Sequence, residues 1–419
     1  MDMKGNIPLA TLLLLLLISI ISPSHSLSSL DANSTELSSF YNLLSSTVLP
    51  LKERSLGDYT VSFKFGNNPV QSFNLDIDTG SELTWVQCDY QCQGCTMPKD
   101  KLYKPDKNKF VKYGTPLCDA VQKKNKNESV LCEFQEEYVD NLHVEGYLIE
   151  DSIPIESSDA ALRSTALAFG CTNKLKDTDE KQQIPFPEGI LGLGYGKASI
   201  LSQLKSQGLI QNVVGHCIKK RGGYLFFGDK FIPKPLTQIS WTPIIIPSKH
   251  KVEEGHYYAG QADLLYNGIH TPIRVLSLLF DSGTTLSYLN SKDYKVLLDL
   301  INTELNNKGT FKKAEEDDLI CWTGKIFQSI DQVSKDYLKP IILSITNNNV
   351  KFELQVEHYI TLSRKGNICL LFEDSKENDF DDDNVIGALS MRDKIMIFDN
   401  EKKQIGWVPD DCTKLPPHR

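Results

Sequence analysis

The sequence carries one short pattern twice. Leu75–Leu83 reads LDIDTGSEL, and Leu278–Leu286 reads LLFDSGTTL. Each copy is an apolar run followed by Asp, a hydroxyl residue, Gly and a second hydroxyl residue. An apolar-apolar-Gly triplet follows each copy at a comparable distance, at Ile190–Gly192 and at Val385–Gly387. Because self-similarity along a chain indicates repeated structural units, the sequence predicts a protein built from two related halves.

The repeated tetrapeptide suits a tight turn that presents a carboxylate. Gly80 and Gly283 allow the chain to turn directly after a buried strand, where a side chain would obstruct it. Hydroxyl groups on either side of these glycines can fix carboxylates and neighbouring backbone by hydrogen bonds; they belong to Thr79, Ser81, Ser282 and Thr284. Since the two contexts match, we expect the halves to bring Asp78 and Asp281 together on a local two-fold axis.

Two adjacent carboxylates have a distinct acid-base chemistry. They cannot both ionise easily, because like charge raises one pKa while hydrogen bonds hold the other low. The pair therefore holds one proton in mildly acidic solution, and that proton belongs to the coupled pair rather than to either residue. The ionised member can take a proton from a shared water while the protonated member polarises a carbonyl oxygen. This predicts attack of water on an amide, with Asp78 and Asp281 as the catalytic pair.

Composition and patterning indicate a folded, mainly β protein. Apolar residues make up 40% and charged residues 24% of the chain, which excludes disordered and collagen-like classes. Asp58–Phe65 alternates as a half-buried strand does, whereas Ser199 and Ser291 each precede a stripe typical of a short helix. The net charge of −9 argues against a nucleic-acid partner, since binding to phosphates requires excess positive charge.

The amino terminus is typical of a secreted protein. Residues 1–26 combine Lys4, the apolar run Leu9–Ile21 and small residues near Ser26, which predicts a cleaved signal peptide. The alternative is a membrane anchor, but the run is shorter than the ~20 residues that span a bilayer. Residues 27–55 are interpreted as a short prosegment or flexible arm, with an ordered amino-terminal strand as the alternative. We expect a mature protein without a membrane span, located outside the cell, in the vacuole or in the endoplasmic reticulum.

Ten cysteines agree with an oxidising compartment. Their even number favours five disulfides over free thiols. The alternative is a metal site at Cys88, Cys92 and Cys95, because closely spaced thiolates hold structural zinc. Two sequons, at Asn33 and Asn127, are glycosylation candidates on the surface.

Several motifs of the sequence resemble those of the pepsin-like aspartic proteases, and within them the plant nucellin-like, or atypical, branch. The motifs that carry the resemblance are Asp78–Ser81 with Leu83–Cys88, Phe280–Thr285, Gly189–Gly194, and Phe398–Glu401 with Ile405–Trp407. The resemblance implies a bilobed β fold with a central cleft, few short helices, and each apolar-apolar-Gly triplet threading beside its aspartate loop. It implies an amino-terminal lobe at 56–232, a carboxy-terminal lobe at 233–412 and a tail at 413–419. It also implies a monomer that acts on proteins or peptides without a cofactor or metal.

The family further implies a β-hairpin flap over the cleft, with a tyrosine that hydrogen-bonds a tryptophan beneath it. Tyr138 and Trp85 occupy the matching positions, and their alternative role is simple core packing. The chain departs from the family at the flap turn, which is bulky rather than glycine-rich. It also departs at Glu188 and Ala388, where Asp is usual, and we expect altered stability rather than lost chemistry there.

The branch's pattern implies four disulfides, Cys88–Cys92, Cys95–Cys171, Cys217–Cys412 and Cys321–Cys369. The remaining Cys118 and Cys132 have each lost the partner that relatives carry. Joining them closes a loop of about 15 residues, worth roughly 3 kcal/mol on the loop-entropy model, so we predict a rewired bridge. The requirement is that their Cα atoms lie within about 7 Å of each other.

A non-catalytic binding protein on the same scaffold is the rival function, such as the plant xylanase-inhibitor proteins that resemble this family. Those relatives have damaged catalytic tetrapeptides, whereas both are complete here. The sequence therefore favours an aspartic endopeptidase.

Overall fold

The computed structural model describes residues 46–414, apart from positions 56, 68, 140 and 317 and segments 122–129, 157–161, 178–185, 248–254, 347–348 and 377–382. All of the described residues belong to one compact unit, Leu43–Arg419. The predicted signal peptide, most of the predicted arm and both sequons, at Asn33 and Asn127, lie outside the described residues. In the described part of the chain, no helix combines the length and the apolar composition that a membrane span requires.

The described residues form mostly short strands. In the first half these are β1 (Thr47–Ser55), β2 (Asp58–Phe65), β3 (Gln71–Asp78), β4 (Trp85–Gln87), β5 (Glu133–Glu137), β6 (Leu142–Glu156), β7 (Leu162–Asp177), β8 (Gly189–Gly192), β9 (Val213–Lys219) and β10 (Gly222–Phe227). In the second half they are β11 (Ser240–Pro243), β12 (Tyr258–Tyr266), β13 (Ile269–His270), β14 (Leu276–Phe280), β15 (Ser287–Leu289), β16 (Lys312–Glu316), β17 (Leu319–Thr323), β18 (Ile341–Ile345), β19 (Val350–Leu354), β20 (Ile360–Leu362), β21 (Ile368–Leu370), β22 (Phe372–Asp374), β23 (Asn384–Ile386), β24 (Lys394–Asp399) and β25 (Gln404–Pro409).

Helices are few, as predicted, and three of the four described α-helices have six or seven residues, whereas Ser291–Asn306 has 16. The described α-helices are α1 (Pro116–Val121), α2 (Ile200–Ser206), α3 (Ser291–Asn306) and α4 (Ile330–Asp336). Single 3-10 turns occur at Lys107–Lys109, Leu236–Gln238 and Val356–His358.

The described strands pair into three sheets. A 13-stranded sheet has the order β11-β25-β24-β9-β10-β1-β2-β3-β8-β4-β7-β6-β5. An 8-stranded sheet has the order β19-β18-β12-β14-β23-β15-β22, with β13 paired to β12 beside this path, and a small 4-stranded sheet has the order β16-β17-β21-β20. The large sheet contains strands from both halves of the chain, because β11, β24 and β25 join it beside β9.

The two predicted helices form at their expected places with one difference. Ser199 caps α2, since its hydroxyl accepts a hydrogen bond from the backbone N–H of Ser202 at 3.2 Å. Helix α3 is capped by Asn290, whose side-chain oxygen accepts from the N–H of Asp293 at 3.1 Å, and not by Ser291. An Asn side chain is as good a helix cap as Ser, and here it lies one residue earlier.

The predicted arm is wrong for its last nine residues. Thr47–Ser55 forms strand β1, which lies between β10 and β2 in the large sheet. Leu51 is 4% exposed and pairs with Val61 on one side and Gly223 on the other. Frequent Ser, Asn and Thr in 27–55 and the charged run Lys52–Arg54 suggested a leader, but pairing on both edges satisfies the backbone and makes β1 an interior strand. Whether the segment before β1 is removed stays a prediction.

Removal of β1 is expected to destabilise the protein severely. A variant that starts after Ser55 leaves the facing edges of β10 and β2 without their partner, so we expect insoluble protein or a lowered melting temperature. A matched variant that starts at Leu43 keeps β1 and is expected to fold normally. Melting curves of the two proteins check this, and equal stability would contradict it.

The ten cysteines form five disulfides, and three of the predicted pairs are confirmed. Cys118 and Cys132 lie 5.6 Å apart at Cα, Cys217 and Cys412 lie 5.3 Å apart, and Cys321 lies opposite Cys369 across β17 and β21. The rewired bridge at Cys118–Cys132 therefore meets its distance requirement.

The other two predicted pairs, Cys88–Cys92 and Cys95–Cys171, are wrong. The structure joins Cys88 to Cys171 and Cys92 to Cys95. The reason is strand pairing: β4 runs parallel to β7, and the N–H of Cys88 donates to the carbonyl of Thr172 at 3.0 Å, which holds Cys88 beside Cys171. With all these sulfurs oxidised, the alternative metal site at Cys88, Cys92 and Cys95 has no thiolate ligands.

Candidate active site

Equivalent strands deliver the two aspartates. Strand β3 ends at Asp78, and β14 ends one residue before Asp281. Each pairs in parallel with the strand that carries an apolar-apolar-Gly triplet, so that Asp78 lies opposite Gly192 and Phe280 lies opposite Ile386. The predicted threading of each triplet beside its aspartate loop is confirmed.

Each carboxylate receives the same two hydrogen bonds from its own turn. Oδ1 of Asp78 accepts from the N–H of Gly80 at 2.8 Å, and its Oδ2 accepts from the hydroxyl of Ser81 at 2.5 Å. Oδ1 of Asp281 accepts from the N–H of Gly283 at 2.8 Å, and Thr284 donates to its Oδ2 at 2.5 Å. These four donors fix both carboxyl groups without a positive charge.

The hydroxyl groups of Thr79 and Ser282, which directly follow the two aspartates, connect the two turns by hydrogen bonds. Thr79 donates to the carbonyl of Phe280 at 2.9 Å, and Ser282 donates to the carbonyl of Ile77 at 3.0 Å. In return the backbone N–H of Thr79 donates to the Ser282 hydroxyl at 3.1 Å, and the N–H of Ser282 donates to the Thr79 hydroxyl at 2.9 Å. Both side chains are buried, so this reciprocal network sets the relative position of the aspartates.

The glycines of the two turns lie where the aspartates meet. A Cβ atom on Gly80 would lie 2.6 Å from the carboxyl carbon of Asp281, and one on Gly283 would lie 2.5 Å from Oδ1 of Asp78. The two carboxyl groups are also hydrogen-bonded to each other. The predicted pair is therefore assembled, and glycine is required in both turns by this close approach.

Burial disfavours ionisation of these carboxyl groups. Asp78 and Asp281 are 5% and 8% exposed. Burial and the charge of Asp281 raise the pKa of Asp78 well above its usual range, although the Ser81 hydroxyl and the Gly80 N–H act in the opposite direction. The pair can therefore retain a proton where isolated aspartates would both be ionised.

The hairpin predicted to be the flap brings Tyr138 near Asp78. Strands β5 and β6 form a hairpin, and the turn between them starts at Tyr138, whose N–H donates to the carbonyl of Leu142 at 2.9 Å. The indole Nε1 of Trp85 donates to the Tyr138 hydroxyl at 2.8 Å. Burial raises the pKa of Tyr138, and the nearby charges of Glu136 and Asp78 add to this effect. The predicted contact between Tyr138 and Trp85 is present.

Comparison with known proteins agrees with this geometry. Two family models match the chain, described as Xylanase inhibitor N-terminal over residues 59–229 and Xylanase inhibitor C-terminal over residues 273–409. An aspartic proteinase of Oryza sativa subsp. japonica is 34% identical over 380 residues, which cover 86% of this chain and 89% of that protein. The chain belongs to the plant pepsin-like aspartic protease family. Aspartic proteinase 36 of Arabidopsis thaliana is 25% identical over 88% of this chain and 78% of its own length.

Solved structures share the bilobed fold of the family. Basic 7S globulin from soybean superposes with a TM-score of 0.67 at 16% identity, over 90% of this chain and 99% of its own. An aspartic proteinase from Irpex lacteus superposes with a TM-score of 0.61 at 16% identity, over 89% of this chain and 100% of its own. These likenesses concern the fold alone.

The departures from the family pattern have local structural roles in this protease homologue. Glu188 accepts hydrogen bonds from the backbone N–H and the side-chain amide of Asn74, at 2.6 and 3.2 Å, and so ties the start of β8 to β3. Ala388 is fully buried, and its N–H donates to the carbonyl of Thr284 at 2.7 Å. At the flap turn, Asn141 adopts φ of +67°, a conformation that Asn tolerates better than most residues.

The contacts of Glu82, which directly follows the first tetrapeptide, were not predicted from the sequence. Its carboxylate lies against Gly196 and Gly255, and a Cβ atom on either glycine would collide with it. Its charge also helps to raise the pKa of the Tyr195 hydroxyl, after the larger effect of burial. In the sequence, Gly196 and Gly255 are isolated glycines far from Glu82. An isolated glycine does not identify the residue that it contacts.

Proposed function

We propose that the protein is an aspartic endopeptidase that hydrolyses peptide bonds at acidic pH through Asp78 and Asp281. The observation that carries this proposal is the reciprocal hydrogen bonding of the two tetrapeptides, which holds two buried carboxyl groups in contact. The family relatives named as aspartic proteinases support the same reaction class and peptide substrates.

In this mechanism the pair carries one proton and binds one water. The ionised carboxylate takes a proton from the water as it attacks the scissile carbonyl, and the protonated carboxyl polarises the carbonyl oxygen. The pair then returns a proton to the departing amine. Tyr138 and the rest of the flap close over the cleft and exclude bulk water, which strengthens these interactions.

Cleavage of a denatured protein is expected to be fastest in acid and to fade toward neutral pH. The sign follows from the pair: burial and the neighbouring carboxyl group raise the pKa of Asp78, which keeps one proton on the pair in mild acid, and loss of that proton removes the group that polarises the carbonyl. Digestion across pH, with and without a statine-type transition-state inhibitor, checks this. The same preparation with the inhibitor is the control. A maximum near pH 8, or full activity with the inhibitor present, would contradict the proposal.

A non-catalytic binding protein is the second candidate. One observation favours it: the matching family models are described as Xylanase inhibitor N-terminal and Xylanase inhibitor C-terminal. The complete and mutually bonded tetrapeptides favour the enzyme, since a binding scaffold does not need a pair of buried carboxyl groups in contact. Absence of any inhibitor-sensitive cleavage would favour the binding protein.

The five disulfides support a route through the oxidising secretory pathway. The protein's final compartment, glycans at Asn33 and Asn127 and a monomeric state stay predictions.

A further inference from the structure

Tyr257 is a buried tyrosine whose hydroxyl reaches toward the first aspartate of the pair. It directly precedes β12 and is fully buried. Its hydroxyl donates a hydrogen bond to the carbonyl of Leu193 at 2.8 Å. Leu193 directly follows β8, and its own N–H donates to the carbonyl of Asp78 at 2.7 Å. Leu193 therefore lies between the Tyr257 hydroxyl and the backbone of Asp78, and it is hydrogen-bonded to both.

The backbone of Tyr257 reaches the second aspartate. The carbonyl of Tyr257 accepts a hydrogen bond from the N–H of Phe280 at 3.0 Å. Phe280 is the last residue of β14 and directly precedes Asp281. Tyr257 therefore connects the segment after β8, in the first half of the chain, to the end of β14 in the second half.

The surroundings of Tyr257 fix the direction of its hydroxyl. Nδ2 of Asn400 donates to this hydroxyl at 3.1 Å and to Oδ1 of Asn212 at 2.9 Å. The ring of Tyr257 packs on Phe398 and Tyr195, with centroid distances of 4.3 and 5.4 Å. The hydroxyl accepts one hydrogen bond and donates another, and the packed ring cannot turn away, so both bonds are held in place.

This connection matters because the two aspartate turns are already in contact. A Cβ atom on Gly80 would lie 2.6 Å from the carboxyl carbon of Asp281, so loosening of either turn moves the carboxyl groups apart. The proposed reaction needs both groups within reach of one water, and a displacement of about 1 Å can lower a rate roughly 100-fold. The hydrogen bonds of Thr79 and Ser282 join the turns directly. The contacts of Tyr257 add a second, separate connection.

We propose that Tyr257 is a positioning residue that holds the loops of Asp78 and Asp281 at the separation the reaction requires. This inference rests on the proposed function, because that separation determines whether the pair can share one water. Tyr257 does not touch the reacting atoms in this scheme; it acts through Leu193 and Phe280.

The test compares wild-type protein with Tyr257→Phe and with Tyr359→Phe. Each variant loses one hydroxyl from a fully buried tyrosine, and each hydroxyl donates to a backbone carbonyl, which for Tyr359 is that of Lys339 at 2.6 Å. Tyr359 lies between the turn Val356–His358 and β20, a segment that carries neither aspartate. We expect similar losses of melting temperature in both variants, so that Tyr359→Phe controls for general destabilisation.

The expected kinetic effect is confined to Tyr257. In Tyr257→Phe, kcat on a peptide substrate should fall roughly 10- to 100-fold with KM within about twofold of wild type, because misplaced carboxyl groups weaken the transition state rather than substrate binding. Tyr359→Phe should keep the wild-type kcat. An unchanged kcat in folded Tyr257→Phe would overturn the proposal, and so would equal falls in the two variants.

Asn400→Ala is a second variant that leaves the Tyr257 hydroxyl in place. It removes the amide that donates to this hydroxyl, so we expect a smaller fall in kcat than in Tyr257→Phe, again with little change in KM. Where Tyr257→Phe does not fold, this variant decides: a fall in its kcat supports the proposal, and a wild-type kcat overturns it.

Titration of the carboxyl groups separates this inference from the proposed function. Protein labelled with ¹³C at the aspartate carboxyl carbons is titrated by NMR, and the signals of the pair are assigned with Asp78→Asn and Asp281→Asn. Like charges interact less at greater distance, so the two apparent pKa values of the pair should lie closer together by about half a unit or more in Tyr257→Phe, and should not change in Tyr359→Phe. This result supports the inference even where wild-type protein cleaves nothing. Unchanged values in folded Tyr257→Phe overturn it, even where wild-type protein cleaves peptides.

Discussion

Replacing either Asp78 or Asp281 with Asn is expected to lower kcat/KM by at least about 10³-fold while the protein stays folded. The reaction needs an acid and a base within reach of one water, and an amide supplies neither. Asn keeps the size of the side chain and can still accept the hydrogen bonds from Gly80 or Gly283, so the turns should persist. Initial rates on a denatured protein substrate and a melting curve for each variant measure the two effects.

Asp76→Asn is the matched control for these variants. Asp76 lies two residues before Asp78 on the same strand, is half-buried and pairs with Arg54 at 2.8 Å. We expect cleavage by this variant to persist, since Asn keeps the size of the side chain and leaves both carboxyl groups of the pair unchanged. The double variant at Asp78 and Asp281 should lose about as much activity as either single one, because the pair acts as a unit. More than a few per cent of wild-type cleavage in either single variant, with contamination excluded, would remove the pair from the mechanism.

Replacing His216 with Leu is expected to protect the fold in acid. His216 is fully buried in β9, and within the described residues neither ring nitrogen has a hydrogen-bond partner. Its ring packs on Phe398 at a centroid distance of 5.8 Å. Burial lowers the pKa of His216 from 6.5 to about 3. The folded protein therefore keeps this side chain neutral in conditions where the unfolded chain protonates it.

The sign and size of the effect follow from that difference. Since the unfolded state binds the extra proton, stability falls as the pH drops below 6.5 and continues to fall until about 3. At pH 4 the cost is about 3 kcal/mol. In His216→Leu the loss of unfolding free energy between pH 7 and pH 4 should be smaller by this amount, even if repacking costs about 1 kcal/mol at pH 7.

Denaturant unfolding at several pH values measures this difference. The exposed His270, which lies 3.9 Å from Asp263, gives a matched control, and His270→Leu should leave the pH dependence nearly unchanged. Parallel pH dependence in wild-type protein and His216→Leu would show that His216 is not the source of acid sensitivity. The result matters for the proposed function, because a peptidase that acts in acid must stay folded at the acidic pH values where protonation of this histidine favours unfolding.

The contact between Asp78 and Asp281 was predictable because its signal is local and repeated. The tetrapeptides at Asp78 and Asp281 each contain every donor that fixes their own carboxylate, so short sequence windows sufficed. The pairing of Cys118 with Cys132 was predicted by elimination, because the branch's pattern assigned the other eight cysteines to one another.

Features that depend on strand pairing were not predictable in the same way. Cys88 joins Cys171 because β4 lies beside β7, and no local spacing indicates this neighbour. The second half of strand β1, Lys52–Ser55, is polar in sequence, and β1 is recognised as interior only when both its neighbours are known.

The junction of β9 with β24 also affects when the protein can fold during synthesis. Strand β9 obtains its second neighbour only when β24 has been made, and Cys217 waits for Cys412, 195 residues later. At about 5–20 residues per second, this is a delay of roughly 10–40 s. Through that interval one edge of β9 stays open to other strands and the Cys217 thiol stays open to other cysteines. A chaperone that covers β9, or an isomerase that corrects early pairings of Cys217, would therefore raise the yield of native protein.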